Sequence, residues 1–319
     1  MQPPFFFAVF ILDSHGMIKV AKYAFKVNET MKCLSVIFAV LLLCGMLFGC
    51  AAPAQTADIA ATTLPVYTFT SALCRGTELT VCQLVTENVS CLHDYSLSVR
   101  QVKAVEAAQL VVISGGGLEE FMEDLLHGKA VIDSSESISL LESCHDHEHD
   151  GHAHDHDPHF WLAPAQAKIM AKNICAGLAE HYPAHAATFE SNLNTLLSQL
   201  DALQQYGDQQ LKDLSCRKLI TFHDGFSYFA HAFDLTILEA VEEESGSEAS
   251  ASELKALITL VNDHRLPAIF TETNGSTSAA QTIAAETGAK ISTLTMAMSG
   301  SDYFEAMYQN INTLKEALG

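Results

Sequence analysis

Short apolar runs alternate with helical patterns along most of this chain, and this alternation restricts the possible folds more than any other feature. Between two of the runs, Ser98–Ala108 has helical spacing and begins with a serine that can cap a helix. Alternating strands and helices predict βαβ units and therefore parallel sheets covered by helices. Eight strands are predicted, four in each half: Asp58–Leu64, Leu79–Val85, Gln109–Ser114 and Ala130–Asp133, then Lys218–Phe222, Leu235–Ala240, Ala268–Thr271 and Lys290–Leu294.

A long helical pattern from Ala184 to Leu214 lies between the two sets of strands. At ~1.5 Å per residue such a helix spans on the order of 40 Å, so it would act as a rigid strut between two lobes. We therefore predict an α/β protein of two similar lobes, each with a four-stranded, mainly parallel sheet. The predicted divisions are an N-terminal lobe at 58–182, a linking helix at 183–214 and a C-terminal lobe at 215–319.

An export signal is predicted within the first fifty residues, ending just before Cys50. Met31-Lys32 is followed by seventeen uncharged, mostly apolar residues, and this stretch ends in Leu-Phe-Gly before Cys50. The ending is similar to a bacterial lipobox, which predicts a lipoprotein signal peptide at 31–49, a lipid on Cys50 and a linker at 50–57. A transmembrane anchor is the alternative, although the stretch is short for ~30 Å of hydrocarbon. Residues 1–30 are interpreted as an upstream extension.

The charge of the chain after this signal excludes one class of partner. Residues 50–319 contain 13 Lys and Arg against 36 Asp and Glu, which gives a net charge of −23. Such a surface repels nucleic acid and attracts cations, so we predict no nucleic-acid binding. Export also permits disulfides, and Cys74 and Cys82 flank a turn at Gly76 where a bridge and two free thiols both fit the sequence.

A fifteen-residue tract from His145 to His159 contains seven histidines and five Asp or Glu residues. No packed core tolerates this composition, so we predict an exposed His-rich loop at 143–157 in the first lobe. Imidazole nitrogens and carboxylate oxygens suit zinc and its neighbours, and His-rich tracts are typical of metal-binding segments. Collection of zinc, sensing of zinc and a solvated spacer are all compatible with residues 145–156.

Three histidines lie where ligands bind in parallel α/β sheets, beyond the carboxyl ends of strands. His93 follows the strand that ends at Val85, His159 ends the tract, and His223 follows Phe222. Each alone also fits an ordinary surface histidine. Three imidazoles with one position left over can form a zinc site, so their common placement predicts a metal centre.

Five sequence motifs are spread over almost all of the mature chain. They are His-Asp-Tyr-Ser-Leu at 93–97, Val-Ile-Ser-Gly-Gly-Gly-Leu-Glu at 112–119, Asp-Pro-His-Phe-Trp-Leu at 157–162, Phe-His-Asp-Gly-Phe-Ser-Tyr-Phe at 222–229 and Phe-Thr-Glu-Thr at 270–273. In sequence and in order they resemble motifs of the zinc-type, ZnuA-like periplasmic receptors of bacterial ABC importers, within the cluster A-I solute-binding proteins. The resemblance implies that His93, His159 and His223 bind zinc in the cleft between the lobes, since manganese receptors usually place a carboxylate where His223 stands.

The resemblance implies a function in metal transport without catalysis. It implies a monomeric receptor, lipid-anchored outside the bacterial cell membrane, which captures zinc and delivers it to an ABC permease and its ATPase. The alternatives are a receptor for manganese or another divalent metal, and an adhesin lipoprotein. A zinc-dependent hydrolase is a further alternative because three histidines and an open position also suit catalysis, but the sequence has no HExxH motif.

The fourth metal ligand departs from the family pattern. Many relatives carry an aspartate near the position of Thr295, and no acid follows here until Asp302. Water, Glu272 and a residue of the His tract are the candidates, and we expect water or Glu272. Asp94 and Asp224 adjoin two of the histidines and either orient them or are ordinary loop acids.

Overall fold

The computed structural model describes residues 6–12, 18–24, 57–87, 89, 92, 95–142, 156–241, 249–273, 275 and 277–319. The chain forms two units, Met1–Pro53 and Ala54–Gly319. In the first unit, β1 (Phe6–Leu12) pairs antiparallel with β2 (Ile18–Ala24). The predicted signal peptide and its lipidated cysteine lie outside the described residues. No helix in the described part of the chain is long and apolar enough to cross a bilayer.

The first half of the second unit is built on a four-stranded parallel sheet with three helices. The elements are β3 (Ile59–Ala61), α1 (Leu64–Leu73), β4 (Val81–Gln83), α2 (Val99–Ala107), β5 (Leu110–Ile113), α3 (Glu123–Leu126) and β6 (Ala130–Asp133). The strand order is β4-β3-β5-β6, and β3, which is central, is buried throughout, as expected for a parallel sheet covered on both faces.

Local sequence signals explain where these elements begin. Ser98 caps α2 through a complete capping box with Gln101, as its position in the sequence predicted. The predicted first strand is too long, because Leu64 already begins α1 with Pro65 in the first turn, where proline loses no hydrogen bond.

A short antiparallel ladder follows the first sheet. β7 (Leu141–Glu142) pairs with β8 (His156–Asp157), and the register sets Leu141 opposite Asp157. Residues 143–155, which contain most of the predicted His-rich loop, lie outside the described residues. The last two residues of that predicted loop belong to a strand instead.

Two long helices connect the ladder to the second half. α4 (Pro164–His181) is followed by a 3₁₀ turn at Pro183–His185 and by α5 (Ala186–Gln210). α5 is the predicted linking helix, shortened at both ends. Its buried stripe consists of Phe189, Leu196, Leu200, Leu203 and Gly207.

The second half repeats the arrangement of the first, as predicted. Its elements are β9 (Lys218–Thr221), α6 (Ser227–Ala232), β10 (Thr236–Ala240), α7 (Ala251–His264), β11 (Ala268–Glu272), α8 (Ser278–Thr287), β12 (Lys290–Leu294) and α9 (Tyr303–Leu318). The four parallel strands have the order β10-β9-β11-β12. One cluster of buried apolar side chains runs through both halves, so the two sheets share a core.

The disulfide considered between Cys74 and Cys82 does not form, and both thiols are free and buried. Cys74 packs in the large core cluster, whereas Cys82 lies in β4 and packs in a separate cluster with Leu84 and Val105. The two side chains therefore belong to different apolar layers. Burial raises the pKa of the Cys74 thiol to about 12, which makes it an inert core residue.

A buried carboxylate joins the carboxyl ends of β3 and β5. Glu119 is 5% exposed and accepts hydrogen bonds from the Thr62 hydroxyl and from the backbone N–H groups of Ser114 and Gly115. Burial raises the pKa of this carboxyl to about 7, even though the three hydrogen bonds lower it. Between pH 4.5 and about pH 7, Glu119 therefore keeps its proton in the folded protein but has lost it in the unfolded chain.

We expect this group to make stability depend on pH. Because its pKa is raised on folding, its favourable contribution is present below the unfolded value of 4.5 and is lost as pH rises through about 7. Between about pH 5 and pH 8, the wild-type free energy of unfolding should fall roughly 2–3 kcal/mol further than that of Glu119→Gln. Urea unfolding of both proteins at the two pH values measures this difference, and parallel pH profiles would contradict it.

Candidate metal centre

The structure brings two of the three predicted metal ligands together. His159 follows β8 and His223 follows β9, and their rings meet edge to face with centroids 5.2 Å apart. The two Nε2 atoms are 3.5 Å apart. Two nitrogens that each lie ~2.0–2.1 Å from a tetrahedral zinc ion are about 3.4 Å from one another. The separation therefore matches that of two ligands of a single zinc ion.

The third predicted ligand, His93, lies outside the described residues. Across the described ranges, no group of three or more His, Cys, Asp and Glu side chains has the geometry of a metal site. The described part of the predicted centre is therefore the pair His159 and His223, whose side chains are 3% and 14% exposed.

Asp157 holds the ring of His159. Its Oδ1 accepts hydrogen bonds from the backbone N–H of His159 at 2.8 Å and from ring Nδ1 at 2.7 Å. Nδ1 is thereby engaged, and Nε2 faces His223. Sequence reasoning considered Asp94 and Asp224 for this kind of contact and missed Asp157. The sequence signal that could have indicated this contact is the position of Asp157, two residues before His159.

A second carboxylate lies behind His223. Glu272 ends β11, is 5% exposed, and places Oε2 3.8 Å from Nδ1 of His223. This distance is too long for a hydrogen bond. Glu272 thus approaches the Nδ1 edge of His223, whereas the Nε2 atom of that ring faces His159.

Thr295 lies in the loop after β12, at the position where the resemblance implies an aspartate. The Thr295 hydroxyl accepts a hydrogen bond from the backbone N–H of Ala297. The buried Asn310 side chain accepts a hydrogen bond from the N–H of Thr295 and donates one to its C=O. A cavity of about 300 Å³ adjoins this loop, with Glu272 and Thr295 in its lining. Space therefore exists beside Thr295 for a larger side chain.

Gly225 allows the two histidines to meet. A Cβ at this position would lie 2.8 Å from Cδ2 of His223, 3.0 Å from Nδ1 of His159 and 2.5 Å from Cε of Met296. Contacts this short with two ring atoms leave no room for a side chain. The glycine of the motif at 222–229 therefore has a steric reason that the sequence alone did not reveal.

Trp161 connects the first half of the unit to the loop beside the site. Its side chain is fully buried, its Nε1–H donates to the C=O of Met296 at 2.8 Å, and its ring packs edge to face on His159 at 5.3 Å. Tyr303 donates its hydroxyl to the C=O of Trp161 at 2.7 Å. His159 therefore packs on a residue whose side chain and backbone are both held by hydrogen bonds.

Comparison with protein families supports the resemblance seen in the motifs. Residues 59–317 match the family described as "Zinc-uptake complex component A periplasmic", ZnuA. The chain belongs to this family. The prediction of a ZnuA-like protein is confirmed, and the match of the structure to a solved member confirms the two-sheet α/β fold.

Individual relatives agree with this assignment. A crystal structure of ZnuA superimposes with a TM-score of 0.73 at 31% identity, covering 82% of this chain and 100% of that chain. A putative metal-binding protein of Treponema pallidum is 27% identical over 240 residues, covering 70% of this chain and 76% of the relative. The zinc-binding protein AdcA of Streptococcus pyogenes is 27% identical over 285 residues, covering 81% of this chain. The chain spans 55% of AdcA, about half its length.

Proposed function

We propose that this protein captures zinc outside the membrane and delivers it to the permease and ATPase of an ABC importer. The observation that carries the proposal is the 3.5 Å separation of the Nε2 atoms of His159 and His223, which suits two ligands of one zinc ion. Membership in the periplasmic zinc-uptake family and the zinc-binding name of the streptococcal relative AdcA agree with it.

The complete site in this proposal has three imidazole ligands. His93 joins His159 and His223, and water fills the fourth position. Glu272 is a poorer candidate because it approaches the Nδ1 edge of His223 rather than Nε2. Three nitrogen ligands favour zinc over manganese, which prefers oxygen donors.

The role is binding rather than hydrolysis. A zinc hydrolase needs a base beside the open metal position. Asp157 and Glu272, two carboxylates beside these rings, both approach Nδ1 edges, away from the facing Nε2 atoms. A lipid on Cys50 would hold the monomeric receptor at the outer face of the membrane, near its permease.

Metal competition on the purified protein tests the proposal. With a chelator that removes loosely bound metal, we expect one tightly held zinc ion per chain and a clear preference for zinc over manganese. Absence of a tight equivalent, or a preference for manganese, would contradict the zinc-receptor function. A matched titration with manganese alone measures the preference directly.

The His-rich tract should contribute only the weaker sites. Deletion of 145–155 leaves β8 intact, because His156 pairs with Glu142 in the ladder. We expect the deletion to remove the weaker zinc equivalents and to keep the tight one, since His159 lies beyond the deleted segment. Calorimetric titration of both chains measures the two classes of site. Loss of the tight equivalent would show that the tract supplies a principal ligand.

A carboxylate at position 295 should strengthen the site. In Thr295→Asp, the new side chain can accept the Ala297 N–H as threonine does, and its charge lies at the cavity that Glu272 also lines, and Glu272 approaches His223. An added anionic ligand should raise zinc affinity by about tenfold, as a favourable charge interaction of ~1.4 kcal/mol would.

The matched control places the same charge two residues earlier. Thr293 is exposed on β12, so Thr293→Asp adds an identical charge without entering the cavity lining. Competition titration should show a higher zinc affinity for Thr295→Asp and an unchanged zinc affinity for Thr293→Asp. Unchanged or weaker zinc binding by Thr295→Asp would contradict the prediction.

A further inference from the structure

Asp157 combines deep burial with incomplete hydrogen bonding. Its side chain is 2% exposed, and Oδ1 receives both hydrogen bonds from His159. Oδ2 is buried and has no hydrogen-bond partner among the described residues. Burial of a carboxylate with one unsatisfied oxygen is costly, so a contribution to folding alone does not explain it.

The position of this carboxylate is fixed from both halves of the unit. Asp157 is opposite Leu141 in the β7–β8 ladder. The backbone N–H of Leu141 donates to the Tyr228 hydroxyl of α6 at 2.7 Å. The Tyr228 ring in turn packs edge to face on Phe160, next to His159. Asp157 therefore cannot easily move away from the imidazole that it contacts.

We propose that Asp157 is the positioning residue for His159. Its carboxylate holds the proton of the neutral imidazole on Nδ1, so that the Nε2 lone pair is directed at the metal position facing His223. Zinc bound at Nε2 makes the Nδ1–H a stronger donor, and the negative charge of Asp157 then strengthens the ligand. This inference rests on the proposed zinc site.

Two variants separate the hydrogen bond from the charge. Asp157→Ala removes both, whereas Asp157→Asn keeps an oxygen that can accept the Nδ1–H. We expect zinc affinity to fall by about 10–100-fold in Asp157→Ala and by a smaller factor in Asp157→Asn. Asp201→Ala is the matched control, because Asp201 is an exposed acid that pairs with Lys168 on the surface of α5.

The tautomer of His159 gives a readout that a purely structural role would not change. Nitrogen-15 NMR of the metal-free protein at about pH 8 distinguishes the Nδ1–H form of an imidazole from the Nε2–H form. The His159 signals are those missing in His159→Gln. We expect the Nδ1–H form in the wild type, in Asp157→Asn and in Asp201→Ala, and a shift toward the Nε2–H form in Asp157→Ala.

The outcomes separate this inference from the proposed function. A wild-type protein that binds no zinc tightly contradicts the proposed function, whatever the tautomer. Tight zinc binding with wild-type affinity and an unchanged tautomer in Asp157→Ala overturns the inference alone. If Asp157→Ala does not fold, Asp157→Asn decides, because zinc affinity equal to the wild type would overturn the role of the charge.

Discussion

His159→Gln and His223→Gln should each lower zinc affinity by at least about 100-fold. Structural zinc sites with four ligands bind with roughly 10–16 kcal/mol, so one ligand represents about 3 kcal/mol, or two orders of magnitude. Glutamine is close to histidine in size but lacks the imidazole nitrogen. Chelator competition measures the loss, and the double variant should leave no tight equivalent.

The fold offers a matched control for this experiment. His231 lies on α6, eight residues after His223, and its side chain is exposed. His231→Gln removes an imidazole from the same region without touching the pair, so zinc affinity should equal that of the wild type. Wild-type affinity in either His159→Gln or His223→Gln would mean that the facing Nε2 atoms do not hold the metal.

Trp161→Ala should cause the largest loss of stability in this account. The side chain is fully buried, so its removal leaves a large cavity, and such truncations cost about 3–5 kcal/mol. The C=O of Met296 also loses the hydrogen bond from Nε1. Urea unfolding of the metal-free protein measures the change, and a loss below about 1 kcal/mol would contradict the packing described here.

A second substitution at Trp161 separates the effect of lost side-chain volume from the effect of the lost hydrogen bond. Trp161→Phe keeps an aromatic ring against His159 but removes the Nε1–H donor. We expect a loss of about 1–3 kcal/mol, the cost of a buried acceptor left without its partner plus a smaller cavity. A Trp161→Phe protein as unstable as Trp161→Ala would show that the hydrogen bond, rather than the ring, dominates.

Most of the fold could be predicted because it depends on local patterns. The alternation of apolar runs and helical segments predicted all eight strands of the two sheets, and Ser98 predicted the start of α2. The errors fall at element ends, where tertiary contacts decide. Leu64 was predicted to end the first strand but starts a helix, and α5 ends at Gln210 although its helical pattern continues to Leu214.

Only those residues of the metal site that lie in recognisable sequence motifs could be predicted. His159 and His223 followed from strand ends and resemblance, and the structure places them together. The contacts of Asp157, Gly225 and Trp161 depend on distances between segments far apart in the chain, such as the one between Trp161 and Met296. Hydrophobic periodicity does not report such distances. The identification of His93 as the third ligand stays a prediction.

Anomalous X-ray scattering from zinc-loaded crystals tests whether His159 and His223 hold the metal. Data collected at the zinc absorption edge locate the metal without assumptions about its ligands. We expect one strong peak between His159 and His223, ~2.0–2.1 Å from each Nε2, with His93 as the third nitrogen ligand. A strong peak elsewhere, with no zinc between these two imidazoles, would contradict this expectation.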